Sequence, residues 1–354
     1  MKKLLVLLSL ISSVFVACKT DFELNAAYKE TTVIYGLLDQ SRNVQMIKIN
    51  KAFLGSGDAN AFAQNSDSIN YNPADLSVYV EELKNGTVMR TITFHDSVIA
   101  SKKPGDFTTS NNIIYVSHAA LDSVDFSKIY KLYVVNNKTG NIATASTGLL
   151  EKTKYTKPAT TSNFISFVNS PSSPSSNGVY SDLATSWTTK RNARTYQTNI
   201  RFYYNEKDLT TNITTLKYVD WLQSPKESTT LSGGETIIQN VSGQGFYQLL
   251  GNVIPEDANV IRHCSHFVFT MTTGADDLNN YINVTAPSGD LNQDKPTFTN
   301  IDNGIGVFAS RNSYSMIKYI CNDTIANPRL CNSTTVSLKE LVEGRYTYKL
   351  KFQY

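Results

Sequence analysis

The sequence predicts a mainly β protein: an N-terminal sandwich of the immunoglobulin or fibronectin III kind, followed by a second antiparallel β domain with a few short helices. Three observations predict this fold. Apolar and polar residues alternate in short runs, turn residues separate the runs, and helix signals are confined to brief stretches. A chain of 354 residues is long enough for two domains, which we expect at residues 31–155 and 156–354.

Two hairpins are the clearest elements of the first domain. Residues 76–80 and 88–94 alternate in polarity, and Asn85-Gly86 between them suits the positive φ angles of a type I′ turn. Residues 130–135 and 142–147 repeat this pattern around a second turn. Several strands spaced by turns over about 130 residues are typical of a sandwich. The Cys…Trp…Cys pattern of true immunoglobulin domains is absent.

The second domain is also predicted to be mainly strand. Residues 199–204 and 346–352 alternate in polarity, and a loop rich in Pro and Ser spans residues 170–178. Two short helices are predicted where Thr and Asp or Ser and Glu are three residues apart, because such pairs can cap a helix start reciprocally. The pairs are Thr273 with Asp276 and Ser337 with Glu340.

The N-terminal segment indicates export. Lys2 and Lys3 precede an apolar run that is too short to span a bilayer. Cys18 directly follows Ala17, an arrangement that resembles the lipobox of bacterial lipoproteins. The resemblance implies that a signal peptide, residues 1–17, is removed and that Cys18 is acylated, so that residues 18–30 form a lipidated tether to the membrane. The alternative is an ordinary secretory signal with an incidental cysteine.

The residues after Cys18 bear on localisation. Lys19 is followed by Asp21 and Glu23, which resembles the surface-export signal of lipoproteins from diderm bacteria, although Phe22 separates the two acids. We therefore predict a lipid-anchored protein of the outer membrane that faces outward.

Composition argues against two classes of protein. Twenty Tyr, sixteen Phe and a charged fraction of 18% are unlike a disordered chain. The formal net charge of +3 is far from the strongly basic balance of nucleic-acid-binding domains, so we predict no nucleic-acid partner.

Three cysteines follow Cys18 in the chain: Cys264, Cys321 and Cys331. An exported protein meets an oxidising compartment, which permits disulfides. Cys321 and Cys331 would close a short loop, and such a bridge typically stabilises a protein by about 2–4 kcal/mol. Whether this pair forms stays open. Cys264 is then expected to be a buried small apolar residue.

Three stretches resemble an uncharacterised family of bacterial outer-membrane lipoproteins: residues 31–38, 48–53 and 299–308. The resemblance implies an immunoglobulin-like N-terminal sandwich paired with a second β domain. Genes of this family often lie beside those of TonB-dependent outer-membrane transporters, so it also implies an accessory function next to such a transporter. It implies no catalytic residue.

The segment His263-Cys264-Ser265-His266 is the densest group of metal-capable side chains. On a strand, His263 would face one way while Cys264 and His266 share the other face. Zinc requires about four converging ligands, and no second group supplies the rest. We therefore predict ordinary strand residues here.

Asp290, Asn292 and Asp294 begin like a calcium-binding loop. Lys295 and Ile301 stand where that loop requires Gly and Glu, so a turn rich in Asx residues is the better interpretation. We predict no metal ion and no cofactor.

No catalytic motif stands out in the chain. There is no Gly-x-Ser-x-Gly elbow, and the glycines at 232–234 and 304–306 are better explained as turns. The acidic pairs Glu81-Glu82 and Asp276-Asp277 are adjacent in sequence, so on a strand each pair would point in opposite directions. A pair of carboxylates could still converge from distant positions, as a glycan hydrolase requires.

Six aromatic residues crowd the second domain among many Asn and Thr residues. Exposed aromatic rings are common anchors for sugars and peptides, but we expect most of these to fill the core. They are Tyr203, Tyr204, Trp221, Phe246, Tyr247 and Tyr281.

Together these features predict a non-enzymatic outer-membrane lipoprotein with a binding or assembly function, accessory to a TonB-dependent transporter. Two alternatives stay open: a secreted-side hydrolase acting on glycans, and a surface adhesin.

Overall fold

The computed structural model describes residues 31–52, 59–99, 105, 107–109, 112–121, 125–161, 164–286, 297–320 and 336–354. The fold of these residues is mainly β with a few short helices, which confirms the predicted class. Several predicted features lie outside them and stay predictions: the signal peptide 1–17, the tether 18–30 with Cys18, the turn at Asp290, Asn292 and Asp294, and Cys321 with Cys331.

Seven strands form the first part of the chain. They are β1 (Thr32–Asp39), β2 (Gln45–Lys51), β3 (Leu76–Lys84), β4 (Thr87–Val98), β5 (Ile113–Ser117), β6 (Ile129–Asn136) and β7 (Ile142–Gly148).

The strands of the second part follow β7 along the chain. They are β8 (Tyr155–Lys157), β9 (Val168–Ser170), β10 (Val179–Tyr180), β11 (Leu183–Thr188), β12 (Thr195–Asp208), β13 (Thr214–Leu222), β14 (Lys226–Glu227), β15 (Thr236–Val241), β16 (Val260–Gly274), β17 (Gly304–Lys318) and β18 (Phe352–Gln353). The helices are α1 (Ala59–Gln64), α2 (Ser66–Ile69), α3 (Gly243–Val253), α4 (Asp276–Thr285) and α5 (Val336–Glu343).

One large sheet connects both parts in the order β13-β12-β16-β17-β1-β2-β5-β4-β3-β6-β7. The long strand β17 makes the connection. Its first half pairs in parallel with β1, and its second half pairs antiparallel with β16. Phe308 of β17 is buried in the core of the first part, whereas Met316 belongs to the core of the second. The division into domains at residue 155 stays a prediction.

The first part curls into a sandwich. β4 pairs with β3 near its start and with β5 near its end, so it passes from one layer to the other. Thr144 of β7 and Asp302 exchange two backbone hydrogen bonds, at 3.1 and 2.7 Å, which brings the far edge of the sheet back to the start of β17. The layers enclose an apolar core that includes Ile34, Ile47, Val80, Tyr130 and Leu132.

The predicted hairpin turn between β3 and β4 is confirmed. Asn85 has φ 50° and Gly86 has φ 80°, the left-handed conformations that a type I′ turn requires at both central positions. Tight pairing follows directly, because Lys84 lies opposite Thr87.

Both predicted helices of the second part exist, but their predicted capping pairs are wrong. α4 begins at Asp276 after an Ala275 cap that makes no side-chain hydrogen bond, while Thr273 lies within β16 and its hydroxyl donates to a strand carbonyl. Ser337 and Glu340 lie inside α5, where Ser337 accepts from Phe167 N just before β9 and Glu340 accepts from Ser172 Oγ in the loop before β10. Tertiary partners therefore take the groups that a local cap would have used.

No helix among the described residues has the length and apolar character needed to cross a membrane.

Candidate binding face

The outer side of the second part of the sheet carries the candidate site. Along β12, Tyr196, Ile200, Phe202 and Tyr204 are buried, and the residues between them point outward. This follows from the two-residue period of a strand whose inner face packs on the aromatic core. We call five outward residues of β12, β13 and β16 the aromatic face: Arg201, Tyr203, Tyr218, Asp220 and His266.

An ion pair holds the first part of the aromatic face. Arg201 Nε donates to Asp220 Oδ1 at 2.7 Å, and Arg201 Nη2 donates to Asp220 Oδ2 at 2.8 Å. The guanidinium carbon lies 4.0 Å from the centroid of the Tyr218 ring. The hydrogen bond from Arg201 lowers the pKa of the Asp220 carboxyl. A bidentate pair of this kind fixes a planar cation above an aromatic ring.

A stacked pair of rings continues the face toward β16. The rings of Tyr203 and His266 have centroids 4.6 Å apart and planes inclined by 15°. Tyr218 lies on the other side of Tyr203, with ring centroids 5.8 Å apart. Burial lowers the pKa of the His266 imidazole, so the neutral ring dominates at neutral pH.

Hydroxyl groups lie further along the same side of the sheet. Thr270 Oγ1 and Ser315 Oγ are 3.0 Å apart, and Thr272 Oγ1 and Ser313 Oγ are 3.1 Å apart. These pairs arise because the four residues occupy opposed outward positions of β16 and β17. Each hydroxyl can donate and accept hydrogen bonds, and the apolar pair of Val268 and Ile317 lies between these hydroxyl groups and His266.

Helix α4 stands on this same side of the sheet. Leu278 and Tyr281 of the helix pack against Val307 and Ala309, which share a face of β17 with Ser313 and Ser315. The helix therefore separates the aromatic face from the outer side of β1 and β2.

A cleft of about 410 Å³ lies beyond α4. Tyr35 and Tyr281 meet edge to face, with ring centroids 6.0 Å apart, and burial raises the pKa of Tyr281 to about 12. The ion pair between Arg311 Nε and Asp39 Oδ2, at 2.9 Å, contributes to one wall. This volume falls in the range of small-molecule sites.

A larger cleft of about 560 Å³ lies between α3 and the C-terminal segment. Its lining includes Gln248, Tyr346 and Lys349. Gln248 Nε2 donates to the Tyr346 hydroxyl at 3.3 Å, and Lys349 pairs with Glu256 at 3.4 Å. We place the candidate site on the aromatic face instead, because an outward ring stack and a planar cation lie side by side there.

The aromatic residues that the sequence singled out divide as expected between core and surface. Tyr204, Phe246 and Tyr247 are buried, and Trp221 packs on the margin of the same core. Tyr203 and Tyr281 lie on the outer side instead. The core prediction is therefore confirmed for most of them.

The prediction that Cys264 and His266 share a face is wrong. A β-bulge shifts the register of β16 against β12 between Phe202 and Tyr204. As a result Cys264 packs against the core, while His266 stacks outward on Tyr203. Burial raises the pKa of the Cys264 thiol to about 12, so it stays protonated and behaves as an apolar residue.

His263 is exposed at the end of this segment, opposite Asn205. The described residues contain no group of three or more His, Cys, Asp or Glu side chains arranged to hold a metal ion.

The adjacent acids Glu81 and Glu82 point in opposite directions, as predicted for a strand. Glu82 is buried and forms two ion pairs, with Lys128 Nζ at 2.7 Å from its Oε1 and Arg90 Nη2 at 2.8 Å from its Oε2. Burial favours the neutral acid, but hydrogen bonds from these two cations lower the pKa of Glu82 overall. Glu82 is thus an anchor within the sandwich.

Asp276 and Asp277 are likewise divided between different partners. Asp276 Oδ1 accepts from Arg194 Nε at 2.7 Å. Asp277 Oδ2 accepts from Asn300 Nδ2 at 3.0 Å, and burial raises the pKa of Asp277. Both carboxylates fix α4 to neighbouring segments.

Sequence reasoning missed Arg201, Tyr218 and Asp220. The signal was present in the hairpin of β12 and β13, whose turn includes Asn212 with φ 60°. Pairing the two strands across that turn places Arg201 opposite Asp220 and Tyr203 opposite Tyr218. Opposed residues of antiparallel strands interact directly, so the register of this hairpin predicts that these side chains lie next to one another.

No family model and no curated protein matches this chain.

Proposed function

We propose that this chain is a non-enzymatic lipoprotein of the bacterial outer membrane that binds a glycan on its aromatic face. The observation that carries the proposal is the arrangement of Arg201, Tyr203, Tyr218 and His266 as neighbouring planar groups on one side of the sheet. Planar rings offer contact area to the apolar faces of sugars at a low entropic cost.

The polar groups around the rings favour a glycan over a peptide. Asp220 and Arg201 provide a fixed acceptor and donor, and Thr270 with Ser315 adds hydroxyl groups further along the same side of the sheet. A sugar ring presents hydroxyl groups around an apolar face, so it matches both parts of this surface. An extended peptide would instead pair along a strand edge or enter an apolar groove, and neither mode uses the outward rings of β12 and β16.

Anchoring at Cys18 is part of the proposal and rests on the sequence of residues 1–18. Two or three acyl chains give stable membrane attachment, at about 0.8 kcal/mol per buried CH₂ group. An outward orientation rests on Lys19, Asp21 and Glu23, and would present the aromatic face to glycans outside the cell.

An accessory function beside a TonB-dependent transporter is proposed from the family resemblance. In this arrangement the lipoprotein captures a glycan and the transporter takes up the released material. The hydrolase alternative gains no support from Glu82, Asp276 or Asp277, because each is engaged by a structural partner. An adhesin would use the same face without a transporter.

The binding test uses the full lipidated chain, extracted in mild detergent and applied to an array of plant, animal and bacterial polysaccharides. We expect binding to a subset of the array by the folded protein and none by the same protein unfolded in urea. Absence of binding to every polysaccharide would contradict the proposed ligand class.

Anchoring and partnership are tested in cells. Radiolabelled palmitate should label the parent chain and leave the Cys18→Ser variant unlabelled, and only the parent should fractionate with the outer membrane. Gentle crosslinking in native outer membranes should recover a TonB-dependent barrel. Recovery of the lipoprotein without any barrel would contradict the accessory function and favour the adhesin.

A further inference from the structure

Among the described residues, strand β13 forms an exposed edge of the large sheet. It pairs with β12 along one side and ends the strand order there. Leu216, Tyr218 and Leu222 are 53%, 53% and 66% exposed. A long edge strand with apolar side chains and open backbone groups is a template for pairing with another strand.

Two backbone hydrogen bonds identify which groups of β13 are open. Gln223 N donates to Thr198 O at 2.9 Å, and Asp208 N donates to Ile213 O at 3.0 Å. In an antiparallel pair only alternate residues bond to a given neighbour. Odd-numbered residues of β13 therefore bond to β12, and even-numbered residues from 214 to 222 direct their N–H and C=O groups to the open edge.

We propose that β13 pairs antiparallel with β13 of a second copy of this chain, with the two-fold axis at Val219. This register joins the even-numbered residues by about eight backbone hydrogen bonds. On the outer side, Leu216 lies opposite Leu222 of the second copy, and Tyr218 lies opposite Asp220 of the second copy. On the inner side, Lys217 lies opposite Trp221 of the second copy, a favourable cation and aromatic pair.

The neighbouring registers are less favourable, which selects this one. An axis at Asp220 would oppose two like charges, and an axis at Tyr218 would place Leu216 against Asp220 of the second copy. The charges of the chosen edge are compensated within each copy. Asp220 is held by Arg201, and Lys217 bonds Glu206. The edge can therefore approach its own copy without repulsion.

The outward residues of β13 belong to the same side of the sheet as the aromatic face. Pairing across Val219 would join the aromatic faces of two copies into one continuous surface. The inference does not depend on the ligand, because it follows from strand register and charge.

Disulfide trapping tests the register in the full chain within native outer membranes. Val219 residues of two copies form a non-hydrogen-bonded pair, with Cα atoms about 4.5 Å apart, which suits a disulfide. The control is Thr215→Cys, because its two copies would be separated by eight residues of strand, or about 26 Å. The parent chain, with its native cysteines, gives the background.

Under mild oxidation we expect the Val219→Cys chain to give at least about tenfold more covalent dimer than the Thr215→Cys chain or the parent. Equal dimer yields from the two variants would overturn the proposal. A crosslink from Val219→Cys to a different protein would also overturn it and identify another occupant of the edge.

A second pair of variants tests the backbone groups. Leu216→Pro removes an N–H that points to the open edge but no bond to β12, whereas Leu216→Ala keeps that N–H. We expect sedimentation of the detergent-extracted full chain to give a dimer for the parent and Leu216→Ala, and a monomer for Leu216→Pro. A monomeric parent, or a dimeric Leu216→Pro chain, would overturn the proposal. Neither result would depend on glycan binding.

Discussion

His266 lies against Tyr203 in a parallel stack, with 4.6 Å between ring centroids, because a bulge in β16 turns the imidazole away from the core. The stack places two rings side by side on the outer side of a sheet whose inner side is filled by Phe202 and Phe267. The same bulge turns Cys264 toward the core. The one extra residue in β16 therefore places the Cys264 thiol on the inner side of the sheet and the His266 imidazole on the outer side.

Protonation of His266 is predicted to destabilise the fold. Burial lowers its pKa in the folded state, so the unfolded chain binds the proton more tightly. The stabilising contribution of the neutral ring is then fully present above the unfolded pKa of about 6.5 and is lost as the pH falls toward the lower folded pKa.

Urea unfolding at pH 7.5 and pH 5.5 measures this effect. The loss of stability on acidification should be smaller in His266→Gln than in the parent. An equal loss in both chains would assign the pH dependence to other groups.

Arg201→Lys is predicted to weaken glycan binding while changing stability little. Lysine cannot form the bidentate pair with Asp220 or the planar stack on Tyr218. The pair is partly exposed to solvent, where such ion pairs contribute less than about 1 kcal/mol.

We therefore expect an affinity reduced by about tenfold and a urea midpoint close to that of the parent. Lys349→Ala, which removes a cation from another exposed ion pair, is the control and should bind normally. A large shift of the midpoint would mean that Arg201 acts through the fold rather than through the ligand.

Arg262 is predicted to be essential for stability. It is buried, donates to Glu206 Oε2 at 2.8 Å and to Leu350 O at 2.6 Å, and so ties the C-terminal segment to β16. Replacing this arginine breaks a buried pair and leaves the Leu350 carbonyl without its donor, which costs about 3–5 kcal/mol.

Arg262→Ala should lower the free energy of unfolding by about 3–5 kcal/mol, whereas Lys349→Ala should lower it by less than about 1 kcal/mol. Similar losses in the two variants would contradict the structural importance of Arg262.

The connection between β1 and β17 is predicted to depend on Gly306. Its φ is 116°, and a Cβ atom there would lie 2.0 Å from Ile34 O across the parallel pair. Gly86 is a matched control, since its φ is 80° but a Cβ atom would meet nothing within 4 Å.

Gly86→Ala should therefore lower the free energy of unfolding by about 1–2 kcal/mol through backbone strain alone. Gly306→Ala should lower it further, because strand β1 must shift to make room for the Cβ atom. Thermal unfolding of both variants gives the comparison. Equal losses would indicate that the close approach at Ile34 is unimportant.

The local part of the fold could be predicted from sequence, and the long-range part could not. Asn85-Gly86 specifies its hairpin because the two φ angles are a property of those residues. The parallel pairing of β1 with β17 joins residues about 270 positions apart, from Thr32↔Gly304 to Asp39↔Arg311. No turn residue encodes such a pairing, which depends on the whole core.

The candidate site also has one part that the local sequence predicts and another that depends on the rest of the fold. Alternation along β12 predicts that Tyr203 and Tyr204 point to opposite sides, and the structure bears this out. The outward direction of His266 depends on a bulge at one position of β16. A bulge reverses the alternation on one side of itself, so period-two reasoning assigned Cys264 and His266 to a common face.

The central claim is that Tyr203 and His266 form part of a glycan-binding face. The most direct test measures the affinity of the full lipidated chain for a polysaccharide selected on the array, comparing Tyr203→Ala with Tyr79→Ala. Tyr79 and Tyr133 form a similar stacked pair on the N-terminal sandwich, with centroids 5.0 Å apart. We predict that Tyr203→Ala lowers the affinity by about tenfold or more and that Tyr79→Ala leaves it unchanged. Unchanged affinity in Tyr203→Ala, or an equal loss in Tyr79→Ala, would contradict the claim.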